Sequence, residues 1–181
     1  QILDKIDENQ LFVPAFQREY VWKRANVQSL FSSLVNEYPT GNLLTWETNK
    51  PPELKGTVYE ETWGTVKLIL DGQQRITSLY LIMKGKIPPY YQEKEITQNI
   101  QGLHVNLKNL ELEYIAKAKK EKDPYWVDLT EIFKNTTRPR EIYDKFRSME
   151  IELTRDEEYH LDDNFYKVYN ILNVDFKEQT I

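Results

Sequence analysis

The stretch that most constrains this chain is Val66 to Leu70, an apolar and β-branched run that stops at Asp71-Gly72. Ile76, Leu79, Tyr80 and Met83 then recur at helical spacing, and Gly85 follows. A run of this kind giving way to a three-to-four period predicts a buried strand, a tight turn and a helix over 73–83. Ile76, Leu79, Tyr80 and Met83 should face inward, and Gly85 should end the helix.

The remaining elements arrange themselves around that unit. Residues 1–8 read as a short polar helix or an arm. Leu11 to Val13, ending at Pro14, reads as an edge strand. Asn26 is a good helix N-cap, and Val27, Leu30, Phe31, Leu34 and Val35 make one apolar helical face that Pro39 and Gly41 close. Leu43 to Thr48 reads as a strand, and 49–65, with Pro51, Pro52, Gly56 and Gly64, as a loop or loose hairpin. Leu103 to Leu107 and Leu110 to Ile115 predict a hairpin joined at Lys108-Asn109. Lys117 to Lys122 reads as a charged, solvated turn. Trp126 to Leu129 reads as a short strand, and 137–150 and 154–172 as helices. The last stretch, Asn173 to Ile181, has no stop signal and reads as truncated. A chain of 181 residues of this pattern predicts one α+β domain, a small mixed sheet with flanking helices. Its core spans about 9–130 and a helical extension about 137–172. The chain reads as part of a larger protein.

The chemistry concentrates at the turn. Asp71 stands at the end of a strand, Gly72 lets a ligand approach the backbone, and the helix that follows presents free N–H groups. Gln73 and Gln74 add neutral donors and acceptors, and Arg75 adds a fork suited to phosphate. Asp71 is suited to a divalent cation bridged by phosphate oxygens. The same residues also fit a plain capped turn, with Asp71 as helix cap and Arg75 paired to a carboxylate. A second cluster, Phe16, Gln17, Arg18, Tyr20 and Trp22, sets phosphate-binding groups beside large aromatics. If that segment is extended, Phe16, Arg18, Tyr20 and Trp22 share a face; a buried aromatic corner is the other reading.

Several chemistries are excluded or weakened. The chain has no cysteine, so there are no disulfides, thiolate zinc sites or cysteine nucleophiles. His104 and His160 are the only histidines and lack metal-ligand spacing, so each reads as structural or superficial. No phosphate-binding lysine loop and no dinucleotide glycine fingerprint are present. The net charge is −5, unlike a globally basic DNA binder. Lys134, Arg138, Arg140, Lys145 and Arg147 are interrupted by acidic residues and read as a solvated face. No apolar stretch is long enough to span a membrane, and a cytoplasmic location is expected.

The pair "FVPAFQREYVW" and "LILDGQQRITSLYLI", about fifty residues apart, resembles the N-terminal domain family of the GmrSD type IV restriction endonucleases. The resemblance covers residues 11–83, with a looser likeness around "YWVDLTEIF". It implies a fold related to ParB and sulfiredoxin, a place in prokaryotic defence against modified phage DNA, and hydrolysis of nucleoside triphosphates. By resemblance, Asp71, Gly72, Gln73, Gln74 and Arg75 form the motif linked to hydrolysis, and Gln17, Arg18, Tyr20 and Trp22 complete the pocket. The expected ligand is an NTP with Mg²⁺, the latter at Asp71. Water would attack the terminal phosphoryl group, oriented by Gln73 or Gln74, with Arg75 and Mg²⁺ stabilising charge. DNA would be engaged through the full-length protein, as an oligomer or with a partner nuclease domain. The alternative is a DNA-sensing module without catalysis. This chain lacks the His-Asn-His nuclease of full-length members, so it should bind DNA weakly and not cut it.

Overall fold

The computed structural model describes residues 2–96 and 99–175. The fold is α+β, built on two small sheets rather than one. In the first, strand β3 (Val66–Asp71) is central, between β1 (Leu11–Phe12) and β2 (Leu44–Thr48). β1 runs parallel to β3, pairing Leu11 with Lys67, and β2 runs antiparallel, pairing Thr48 with Val66. β3 is apolar on both faces because both are covered. Ile69 enters the main core, while Val66 and Leu68 pack with Phe12, Leu54, Tyr59 and Trp63 in a smaller cluster. That cluster gives the 49–65 loop an apolar anchor, with the Trp63 ring stacked on Phe12 at 5.3 Å.

Helix α1 (Ile2–Asp7) precedes this sheet, and α2 (Arg24–Val35) buries Val27, Leu30, Phe31 and Val35 as their spacing predicts. Asn26 is not its N-cap. Lys23 holds that position, and Asn26, three residues on, reaches back to accept from the Lys23 N–H at 3.0 Å. Helix α3 (Gln73–Leu79) follows β3, and a wider π turn, Tyr80–Lys84, continues it to Gly85 at φ 64°. Ile76, Leu79, Tyr80 and Met83 are all buried. Asp71 does not cap this helix. Gly72 is the N-cap, at φ 92°, a conformation a side chain strains.

The second sheet is antiparallel: β4 (His104–Asn106) lies between β5 (Leu112–Glu113) and β6 (Trp126–Asp128). The expected hairpin forms, with shorter strands. The basic run is a correction: Lys117–Lys122 forms helix α4 rather than a turn. Its alanine, lysine and glutamate residues favour helix, and Lys119 is held by Glu113 at 2.5 Å and over the Trp126 ring at 4.7 Å. Asp128 caps α5 (Leu129–Phe133) by accepting from Thr130 N at 2.7 Å. Helices α6 (Pro139–Ser148) and α7 (Arg155–Asn170) supply the helical C-terminal part, and Ile142, Phe146, Leu161, Phe165 and Val168 join the same core as Leu3 and Ile69. The expectation for 173–181 falls mostly on residues outside those described. Among the described residues no helix is long and apolar enough to cross a membrane.

Candidate functional site

The two motifs meet at the C-terminal end of β3. Gln17 Nε2 donates to the Leu70 carbonyl at 2.9 Å. Gln74 clamps the other side of the segment: its Nε2 donates to Glu19 O at 3.0 Å and its Oε1 accepts from Val21 N at 2.9 Å. One glutamine amide thus imitates a strand partner for a stretch that has none. Tyr20 is buried, and its hydroxyl donates to Ser78 Oγ at 2.8 Å, since the Ser78 proton goes to Gln74 O. Burial pushes the Tyr20 phenol up to about 12, so it is a neutral donor at any ordinary pH.

This geometry corrects the shared-face expectation. Residues 16–23 are not a strand. Phe16 is exposed, Tyr20 points inward and Trp22 is half-buried against the core. The segment follows hydrogen bonds to α3 rather than sheet alternation. Arg18 is exposed, and among the described residues its guanidinium has no hydrogen-bond or ion-pair partner.

Arg75 directs its guanidinium at the protein. Nη1 donates to Thr40 O and Nη2 to Asn42 O, each at 2.6 Å, and Nη2 also meets Asp71 Oδ2 at 3.2 Å. The loop lies so close that a Cβ on Gly41 would sit 2.2 Å from Arg75 Nη1. Asp71 is 73% exposed. Gly72 and Arg75 also wall a cleft of about 580 Å³ with Leu30, Leu34, Leu43 and Leu79.

Gln73 is different. It is only 4% exposed, its Nε2 donates to the Tyr91 hydroxyl, and among the described residues its Oε1 has no hydrogen-bond partner. Tyr91 in turn donates to Arg18 O at 3.4 Å, and Lys55 Nζ lies 5.0 Å from the Tyr91 ring centre. Lys55 and Tyr91 escaped the sequence reading because they lie in irregular segments with no periodicity. The proline pairs that precede them, Pro51-Pro52 and Pro88-Pro89, were the available signal. Among the described residues no three acidic or histidine groups gather to hold a metal. His104 is buried beside β6, its Nδ1 at 2.8 Å from Gly102 O, and His160 is exposed.

An uncharacterised protein of Methanocaldococcus jannaschii is 35% identical over 89 residues, covering 44% of this chain. The match spans 15% of that relative's length. The profile of the GmrSD restriction endonuclease N-terminal domain matches residues 1–180. Described from end to end by that profile, the chain belongs to the family of N-terminal domains of GmrSD restriction endonucleases.

Proposed function

We propose that this domain binds a nucleoside triphosphate where the Gln17–Trp22 segment meets the Asp71–Arg75 turn, and that it hydrolyses the nucleotide within its parent restriction protein. The observation that carries the reading is Gln73 Oε1, a buried acceptor at the junction of both motifs with no partner among the described residues. An unmet buried acceptor costs about 1–3 kcal/mol, a cost consistent with a group kept for a ligand. Gln73 is the residue that would orient the attacking water, its amide held by Tyr91. Arg18 would meet phosphate oxygens with its unpaired fork. Gln17, Gln74, Tyr20 and Trp22 would fix the segment that carries Arg18. Arg75 would hold Asp71 and the 40–42 loop in place.

With Asp71 exposed at the turn and no acidic cluster among the described residues, the site would suit a magnesium ion that arrives with the nucleotide and takes Asp71 as a protein ligand. Such an ion would supply charge neutralisation along the phosphate chain. Membership of a restriction family supports a defence role, in which turnover would regulate the attack on DNA by the rest of the protein. With a net charge of −5, the domain alone should bind duplex DNA weakly and leave it uncut.

The test is Gln73→Leu. It removes the unmet acceptor, so the melting temperature should hold or rise, while nucleotide turnover by the parent protein falls at least about tenfold. Full turnover in the variant, or no turnover in the unmodified parent, would refute hydrolysis at this site.

A further inference from the structure

The Lys55 side chain is nearly covered, and its polar contacts are loose. It is 8% exposed, and the contacts are long: Glu19 Oε1 at 3.4 Å and Arg18 O at 3.3 Å. Charge-assisted hydrogen bonds settle near 2.7–2.9 Å as a rough rule, and lysine is rarely this buried without a close partner. Lys84 in the same molecule gives the contrast. Its side chain is 18% exposed and meets Asp4 at 2.5 Å and Asp7 at 3.2 Å, a saturated structural pair. Lys55 has one loosely held carboxylate, which is itself 63% exposed and free to swing outward.

The backbone goes to some length to put Lys55 there. Its N–H donates to Val13 O at 2.8 Å, and Ala15 N donates to Glu53 O at 2.7 Å, tying 53–55 alongside 13–15. Gly56 then presses onto the 89–91 segment. A Cβ at Gly56 would stand 2.6 Å from Pro89 O and 2.8 Å from Tyr90 Cα, and its φ of 72° also disfavours a side chain. The close approach sets the Lys55 ammonium over Tyr91, whose hydroxyl holds the Gln73 amide. A cation short of close partners and an acceptor with none are therefore joined through one tyrosine.

We propose that Lys55, which lies in neither motif, is a phosphate-binding residue of this site. It takes an oxygen of the triphosphate chain in place of Glu19, while Tyr91 is a positioning residue that keeps Gln73 Oε1 turned toward the ligand. The two unmet groups together call for an anion that carries a hydrogen-bond donor beside it, which describes a phosphate chain with a water or hydroxyl at its end. The proposal rests on the nucleotide reading above and adds to it a second protein cation, beside Arg18, for the phosphate chain.

The experiment measures binding of Mg-ATP, Mg-GTP, inorganic triphosphate and a duplex oligonucleotide by calorimetry, on the unmodified protein, Lys55→Met and Lys55→Arg. Lys55→Met should weaken triphosphate and nucleotide binding at least about tenfold and leave the melting temperature nearly unchanged, because the contacts it loses are long. Lys55→Arg should recover part of the affinity. In unmodified protein with labelled lysines, the Lys55 side-chain resonance, identified by its absence from Lys55→Arg, should move on adding inorganic triphosphate. This readout stands even if Lys55→Met folds poorly. Nucleotide binding that is equal in all three proteins, with a stationary Lys55 resonance, overturns the role of Lys55 and leaves the nucleotide reading intact. If the unmodified protein binds no triphosphate, or only the oligonucleotide moves Lys55, both readings fall.

Discussion

Arg75 is the motif residue whose side chain is most fully engaged by its own fold. Removing it leaves the Thr40 and Asn42 carbonyls unpaired and Asp71 without its cation. Arg75→Ala should therefore cost about 2 kcal/mol of stability, a fall of roughly 4–8 °C in melting temperature for a chain of this size. Arg75→Lys should recover little, since a point charge cannot reach two carbonyls and a carboxylate at once. Turnover per folded molecule should also fall, because Asp71 is released. Measuring melting and specific activity together checks this: early melting with full specific activity would confine Arg75 to the scaffold. Asp7 works at the same scale. Burial raises its pKa, but hydrogen bonds from Tyr80, Lys86 and Lys84 together outweigh that and hold it below the ordinary carboxyl value. A depressed carboxyl contributes stability above its unfolded pKa and loses it as pH falls through the folded value. Acid titration should thus loosen the α1 attachment below about pH 4, and Asp7→Asn should remove that step in amide exchange of residues 2–7.

Among the elements, the joint between β3 and α3 is the least tolerant. Gly72 combines a positive φ with a close neighbour, since a Cβ there would lie 2.7 Å from Leu43 Cδ1 and 3.2 Å from Arg75 Nη2. Gly72→Ala should destabilise the domain by about 1–3 kcal/mol and displace both the 40–43 loop and Arg75, read as a lower melting temperature with weaker nucleotide binding. Unchanged values of both would mean that the turn has room to relax. The strand, the turn and the following helix were legible in advance because they depend on local spacing. The 16–23 segment was not. Its conformation comes from Gln74, Gln17 and Tyr20 bonds to residues more than fifty positions away, which no local period encodes.

At the scale of the molecule, one core joins the first helix to the last, from Leu3 to Leu172. The second sheet sits inside it and buries His104. Burial lowers the His104 pKa most strongly; the Gly102 carbonyl and the Asp128 and Glu131 carboxylates raise it and Lys120 lowers it further, and the net shift is downward. The folded chain therefore keeps His104 neutral while the unfolded chain takes a proton near pH 6.5. Stability from this group is constant above that pH and declines as pH falls below it, levelling at the folded pKa. Denaturant unfolding between pH 8 and pH 5 should show the decline, and His104→Gln should flatten it. An equal slope in the variant would place the titration elsewhere.

The sequence by itself determined the α+β class, the strand-turn-helix at 66–83 and the inward face of α2, because periodicity and turn chemistry are properties of neighbouring residues. The meeting of the two motifs was implied only by the family resemblance, since it rests on bonds between residues more than fifty positions apart. Only the tertiary structure decided which polar groups of the motifs are already taken. Gln74 and Arg75 are satisfied by backbone groups from distant loops, and Gln73 Oε1 is left over. It also decided that Lys55 and Tyr91 stand at the same place, through a glycine contact between segments about thirty residues apart. Hydrogen-bond satisfaction is a three-dimensional property, since a donor's partner is fixed by what folding brings within reach and not by what stands beside it in the chain.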